Sequence, residues 1–179
     1  MKRLLIILLA FSTSFSTVHA QKIYSSKTGK ISFFSSAPLQ DIEAKTSEVE
    51  SKLASNGQIA YSLLIKGFQF DNQKMEDDFN EDYMESSKFP KASFKGNITN
   101  IGDINLAKDG TYPAKVKGDL TIHGVTKEVN ADGTIEVHGS KIITKSKFDI
   151  AVKDYNIGGA LIGKKIANNI AITVDCEYE

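Results

Sequence analysis

Hydrophobic and polar positions alternate along this chain in short runs. From Ala114 the even positions give Val116, Gly118, Leu120 and Ile122, while Lys115, Lys117 and Asp119 face the other way. Phe148, Ile150 and Val152 alternate against Lys147 and Asp149, and Ile170, Ile172, Val174 and Cys176 against Thr173, Asp175 and Glu177. Ala92, Phe94, Gly96 and Ile98 do the same against Ser93, Lys95 and Asn97. A period of two with one apolar side marks antiparallel strands with one wet face. Thr28-Gly29, Asn56-Gly57, Asp109-Gly110, Asp132-Gly133 and His138-Gly139 are expected to be tight turns, because glycine tolerates positive φ. Within Gly118 to Val129, Gly124 is expected to end a strand and Thr126-Lys127 to form the turn that follows. Many short strands punctuated this way predict an all-β sandwich or barrel.

Two segments depart from the pattern. Ile42, Ala44 and Thr46 are even, but Val49, Ser51 and Leu53 are odd. A one-residue slip would turn half of these side chains to solvent, so a β-bulge is expected near Thr46 to Glu48. From about Gln73 to Ser86 the period changes, with Met75, Phe79 and Tyr83 at i, i+4 and i+8. That spacing predicts one helix over 73–86, capped by Asp71 or Asn72 and stopped before Pro90. Its apolar stripe reads either as core packing or as a lid over a cavity. Lys153 to Lys165 reads as a long glycine-rich loop, and no repeat, linker or second domain is visible.

The first twenty residues stand outside this pattern. Lys2 and Arg3, then an apolar run from Leu4 to Phe11, then Val18-His19-Ala20, read as a secretory signal peptide cleaved after Ala20. The apolar run is too short to span a bilayer, and no cysteine follows the cleavage site to carry a lipid anchor. Removing twenty of 179 residues leaves a single domain of 159, large enough for a substantial core. Losing Lys2 and Arg3 reduces 22 basic residues to 20, against 22 acidic ones. A net charge near −2 gives no electrostatic case for nucleic acid, and no later stretch is apolar enough for stable membrane insertion. The single cysteine, Cys176, lies in phase with Ile172, Val174 and Tyr178, so it reads as buried strand filler rather than a reactive thiol.

Candidate chemistry is sparse. His123 has no nucleophile in a recognisable local motif and reads as a surface or turn-bracing histidine. His138 is next to a turn glycine, and neither histidine has a partner at metal-ligand spacing. Gly158-x-x-x-x-Gly163-Lys164 imitates a phosphate loop, but Lys165 stands where Ser or Thr must hold magnesium. Glu76-Asp77-Asp78 and Glu81-Asp82 read as a solvated helix face. The residues point to no catalytic site, metal or cofactor.

Three blocks nevertheless resemble the YceI-like family of secreted, lipocalin-like bacterial proteins, and of its branches most nearly a Bacteroidetes type. The first is Phe68-x-Phe70-Asp71, continuing through Phe79-Asn80 and Tyr83-Met84-Glu85-Ser86 to Lys88-Phe89-Pro90-Lys91-Ala92-Ser93-Phe94-Lys95-Gly96. The second and most specific is Gly118-Asp119-Leu120-Thr121-Ile122-His123-Gly124-Val125-Thr126-Lys127. The third is Phe148-x-Ile150 with Asp154-Tyr155-x-Ile157. The resemblance implies an antiparallel barrel of eight strands with the helix closing or flanking it. It implies a periplasmic or secreted protein that carries or stores an apolar isoprenoid lipid, a polyprenyl phosphate or a quinone, without catalysis. The inward residues expected to touch that lipid are Phe94, Val116, Leu120, Ile122, Phe148, Ile150, Ile172 and Val174, with Met75, Phe79 and Tyr83 as the lid. A homodimer is compatible with the family. The competing expectation is a filled barrel that serves as an envelope stress-response or protein-interaction module.

Overall fold

The computed structural model describes residues 21–178. The expected signal peptide lies outside the described residues. Nine strands form one antiparallel sheet: β1 (Ile23–Ala37), β2 (Gln40–Ala54), β3 (Gln58–Leu64), β4 (Gln69–Phe70), β5 (Lys91–Ile98), β6 (Gly110–Ile122), β7 (Val125–His138), β8 (Lys141–Ala151) and β9 (Asn169–Tyr178). Their order is β1-β9-β8-β7-β6-β5-β3-β2-β4, and β1 also pairs with β2. Eight strands therefore close into a barrel, while β4 is a two-residue addition to β2 at Ala44 and Lys45. Closure gives each of the eight strands a paired neighbour on both sides, as an open sheet cannot.

The change of phase read in the sequence occurs where expected and has a counterpart. Between the pairs Gly29↔Val49 and Ile31↔Thr46, β2 places Ser47 and Glu48 against Lys30 alone. Between Ser26↔Ser51 and Gly29↔Val49, β1 places Lys27 and Thr28 against Glu50. Each strand slips once, so Val49, Ser51 and Leu53 stay buried together with Ala44 and Thr46. These paired irregularities bend the long β1–β2 ribbon, as closing the sheet requires.

Asn56-Gly57 and His138-Gly139 fall in hairpin connections. Thr28-Gly29 and Asp132-Gly133 do not form turns: both lie within strands, β1 and β7. Glycine is present there because neighbours come too close. A side chain at Gly29 would strike the Cys176 sulfur, and one at Gly133 the Lys145 carbonyl. Thr126-Lys127 is also strand. The turn is His123-Gly124, whose φ angles of +50° and +72° join Ile122 to Val125 as a two-residue primed turn. Over 153–165, a short 3-10 turn, Val152–Tyr155, opens the segment otherwise read as loop.

Side chains fill one end of the barrel. Tyr24, Leu53, Ile135, Val137, Ile142, Cys176 and Tyr178 are buried there, and Ile101 packs over Gly57 beside the β2–β3 turn. Cys176 is the buried strand residue its phase foretold, and desolvation pushes its thiol pKa up to about 12.

Candidate functional site

At the other end the barrel is hollow. A cavity of about 460 Å³ runs between the strands and opens beneath the β3–β5 connection. That volume is within the roughly 300–1,000 Å³ range of small-molecule sites. Apolar side chains form most of its wall because the inward phase of each strand continues past the filled end. β6 contributes Val116, Leu120 and Ile122, β8 Phe148 and Ile150, β9 Ile170, Ile172 and Val174, and β5 Phe94. All eleven residues expected to form the pocket and its lid stand in this wall.

The helix is shorter than expected. α1 spans Gln73–Asp78 and a π-helical turn, Phe79–Tyr83, follows, so the helix stops before Ser86. Asn72 caps its start by accepting from the Met75 amide at 3.3 Å. At its end the Met84 amide donates to the Phe79 carbonyl, five residues back, and Glu85 takes a φ of +42°. The wide turn still leaves Met75, Phe79 and Tyr83 on the cavity side. Lys74 and Asp78 pair at 2.9 Å, with the lysine largely exposed, and this contact raises the lysine pKa. Phe79 packs against Phe33, Phe68 and Phe70 at centroid separations of 5.1–5.8 Å, so aromatic rings join lid to wall.

Phe33, Phe68, Phe70, Val129 and Ala131 also line the cavity, although sequence reasoning did not place them there. Reading Asp132-Gly133 as a turn concealed the phase of β7, in which Val129 and Ala131 lead inward to Ile135 and Val137. Ile157, Leu161 and Ile166 reach the rim from the glycine-rich segment. That segment folds back on itself, with the Gly163 amide donating to the Ile166 carbonyl at 2.6 Å, and no helix follows it. It lacks the strand–loop–helix frame of a phosphate loop.

His123 is absent from the cavity wall. It is 9 % exposed; its Nδ1 lies 3.1 Å from the Tyr155 carbonyl and its Nε2 2.9 Å from a Glu85 carboxylate oxygen. Phe89 meets the ring edge-on at 4.6 Å. The histidine braces its turn against the end of the lid and the β8–β9 connection. Among the described residues no group of three or more His, Cys, Asp or Glu side chains is placed to hold a metal. Nor is any described helix long and apolar enough to cross a membrane.

The cavity's inner boundary is polar. Tyr61 faces it from β3, and behind Tyr61 lie the hydroxyls of Thr144, Tyr178 and Ser51. Burial drives the phenol pKa values of Tyr61 and Tyr178 upward, so both hydroxyls keep their protons.

A closed eight-stranded barrel, hollow at one end beneath a short helix, is a lipocalin-like ligand-binding architecture. The chain belongs to the YceI-like domain family, whose sequence model matches residues 11–178. It is similar in fold to a polyisoprenoid binding domain from Saccharophagus degradans implicated in plant cell wall breakdown: TM-score 0.76, 12 % identity, over 88 % of this chain and 97 % of that one. Burkholderia cenocepacia BcnA superposes with a TM-score of 0.70 at 18 % identity, over 83 % and 95 % of the two chains. The Campylobacter jejuni YceI protein gives 0.54 at 16 % identity, over 100 % and 99 %. No curated protein matches the sequence.

Proposed function

We propose that this protein holds an apolar isoprenoid-type lipid inside the barrel, for transport or storage, and performs no chemistry on it. The observation that carries this reading is the 460 Å³ cavity, walled by apolar side chains and covered by an aromatic-anchored lid. A filled-barrel interaction module would have no such space. The polyisoprenoid-binding neighbour supports the choice of lipid. Burying a five-carbon unit grosses roughly 4 kcal/mol at ~0.8 kcal/mol per carbon. Ligand efficiency for larger molecules reduces the net gain to about 1.5 kcal/mol per unit. Four enclosed units would then give about 6 kcal/mol, a dissociation constant in the tens of micromolar, and further contacts at the rim would tighten it.

We propose further that the lipid exchange takes place in the periplasm or outside the cell, a reading supported by the expected leader at residues 1–20. The test is purification from the native envelope followed by mass spectrometry of an organic extract, with N-terminal sequencing of the same material. The expected result is a prenyl lipid in the extract and a chain that begins at Gln21. An extract without apolar ligand, together with no uptake of isoprenoids in vitro, would overturn the carrier reading.

A further inference from the structure

The four hydroxyls at the inner end of the cavity have more protons than short bonds between them. Ser51 donates to the Ala60 carbonyl at 3.0 Å. Its oxygen lies 2.6 Å from the Tyr178 hydroxyl, so Tyr178 donates to Ser51. Tyr61 and Thr144 are 3.1 Å apart, one bond for two protons. The remaining hydrogen bonds, Thr144 to Tyr178 at 3.5 Å and Tyr178 to Tyr61 at 3.4 Å, are longer still and weak. The Tyr61–Thr144 pair is therefore tied to its neighbours only by long bonds, which a better-placed acceptor can displace. When Thr144 donates to Tyr61, the Tyr61 proton is released to an acceptor in the cavity, which the Tyr61 side chain lines.

The surroundings limit what this donor accepts. Tyr61 lies far from bulk solvent yet is only half-buried, because its accessible face is turned to the lumen. Apolar walls surround it, and the lysines that line the cavity, Lys74 and Lys165, are exposed at the rim. An ionised head group brought to Tyr61 would lose its hydration without meeting a countercharge. An uncharged oxygen would lose little and gain a bond.

We infer that Tyr61 forms a polar subsite at the inner end of the cavity, where it donates a hydrogen bond to an uncharged acceptor oxygen, such as a carbonyl, on the buried end of the lipid. This rests on the carrier reading and sharpens it: the ligand enters with a neutral, oxygen-bearing end first and leaves its tail towards the lid. A prenylated quinone satisfies that chemistry. A prenyl phosphate would have to bind in the opposite direction, with its phosphate at the rim.

Two probes of matched length test it by calorimetric titration, a benzoquinone bearing a short prenyl tail and a polyene hydrocarbon. In the wild type the quinone carbonyl should bind with its infrared stretch shifted to lower frequency. Tyr61→Phe should weaken the quinone about fivefold, the value of one hydrogen bond, abolish the infrared shift and leave the hydrocarbon unchanged. Quinone affinity and infrared band unaltered by Tyr61→Phe, with both probes still bound, would overturn the subsite and leave the carrier reading standing. Failure of both probes to bind the wild type would remove the two together.

Discussion

Ala131→Phe tests whether the lumen is as open as its geometry shows. Ala131 lies on β7 opposite Val116, within the cavity wall. The substitution adds six carbons, at most about 180 Å³ if each takes up as much room as a water molecule. That is less than half of the 460 Å³ available. Burying the ring contributes about 1.5–3 kcal/mol and ordering it costs about 0.5–1, so the variant should gain roughly 1–2 kcal/mol in stability. Six displaced ligand atoms at ~0.3 kcal/mol each cost close to 2 kcal/mol, a loss of about 20- to 30-fold in lipid affinity. Urea unfolding followed by circular dichroism gives the first quantity, and titration with a fluorescent prenyl probe the second. In a tightly packed interior the same ring would overpack and cost about 1–3 kcal/mol. A destabilised Ala131→Phe protein whose probe binding equals that of the wild type would refute the open-cavity account.

Phe79→Ala removes the ring shared with Phe33, Phe68 and Phe70, and should cost about 3 kcal/mol and speed lipid release; stopped-flow displacement that shows an unchanged off-rate would argue against a lid. His123→Ala should cost about 1–3 kcal/mol, since the Tyr155 carbonyl and Glu85 lose a partner, while lipid uptake persists; lost uptake in a folded variant would reveal a direct role. The Cys176 thiol should resist an aromatic disulfide reagent at pH 8 and react once the chain is unfolded in urea. Because its folded pKa of about 12 exceeds the ordinary 9.0, its contribution is complete below pH 9 and is lost as pH rises towards 12. Stability should fall by about 1.4 kcal/mol per pH unit in that window from this group. Cys176→Ala should flatten that part of the profile, and an identical slope in both proteins would show that the thiol titrates freely in the fold.

Local chemistry was sufficient for much of this molecule. Period-two alternation identifies the inward face of a strand wherever one side is dry, so the eight strand residues of the wall could be named from the sequence, and the helical spacing of Met75, Phe79 and Tyr83 added the other three. The offset between Thr46 and Val49 demanded a bulge for the same reason. Glycine was ambiguous, because a positive φ and a close neighbour both favour it. Gly124 serves a turn, whereas Gly29 and Gly133 make room for Cys176 and for the β8 backbone, contacts between segments remote in sequence. The π-helical turn at Phe79–Tyr83 was hidden for a related reason. A stripe at i, i+4 and i+8 does not reveal which carbonyl each amide will choose.

Only the closed sheet decided the remainder. Whether inward side chains meet or leave a gap depends on barrel diameter and on distances across the lumen, which no single strand encodes. Ser51, Tyr61, Thr144 and Tyr178 come from four strands and form one group only because closure brings β2 and β3 opposite β8 and β9. The sequence by itself determined which faces of the strands are apolar. The tertiary structure determined that those faces enclose a hollow with a hydroxyl at its inner end, because side-chain volume is local whereas the space to be filled is set by how the strands close.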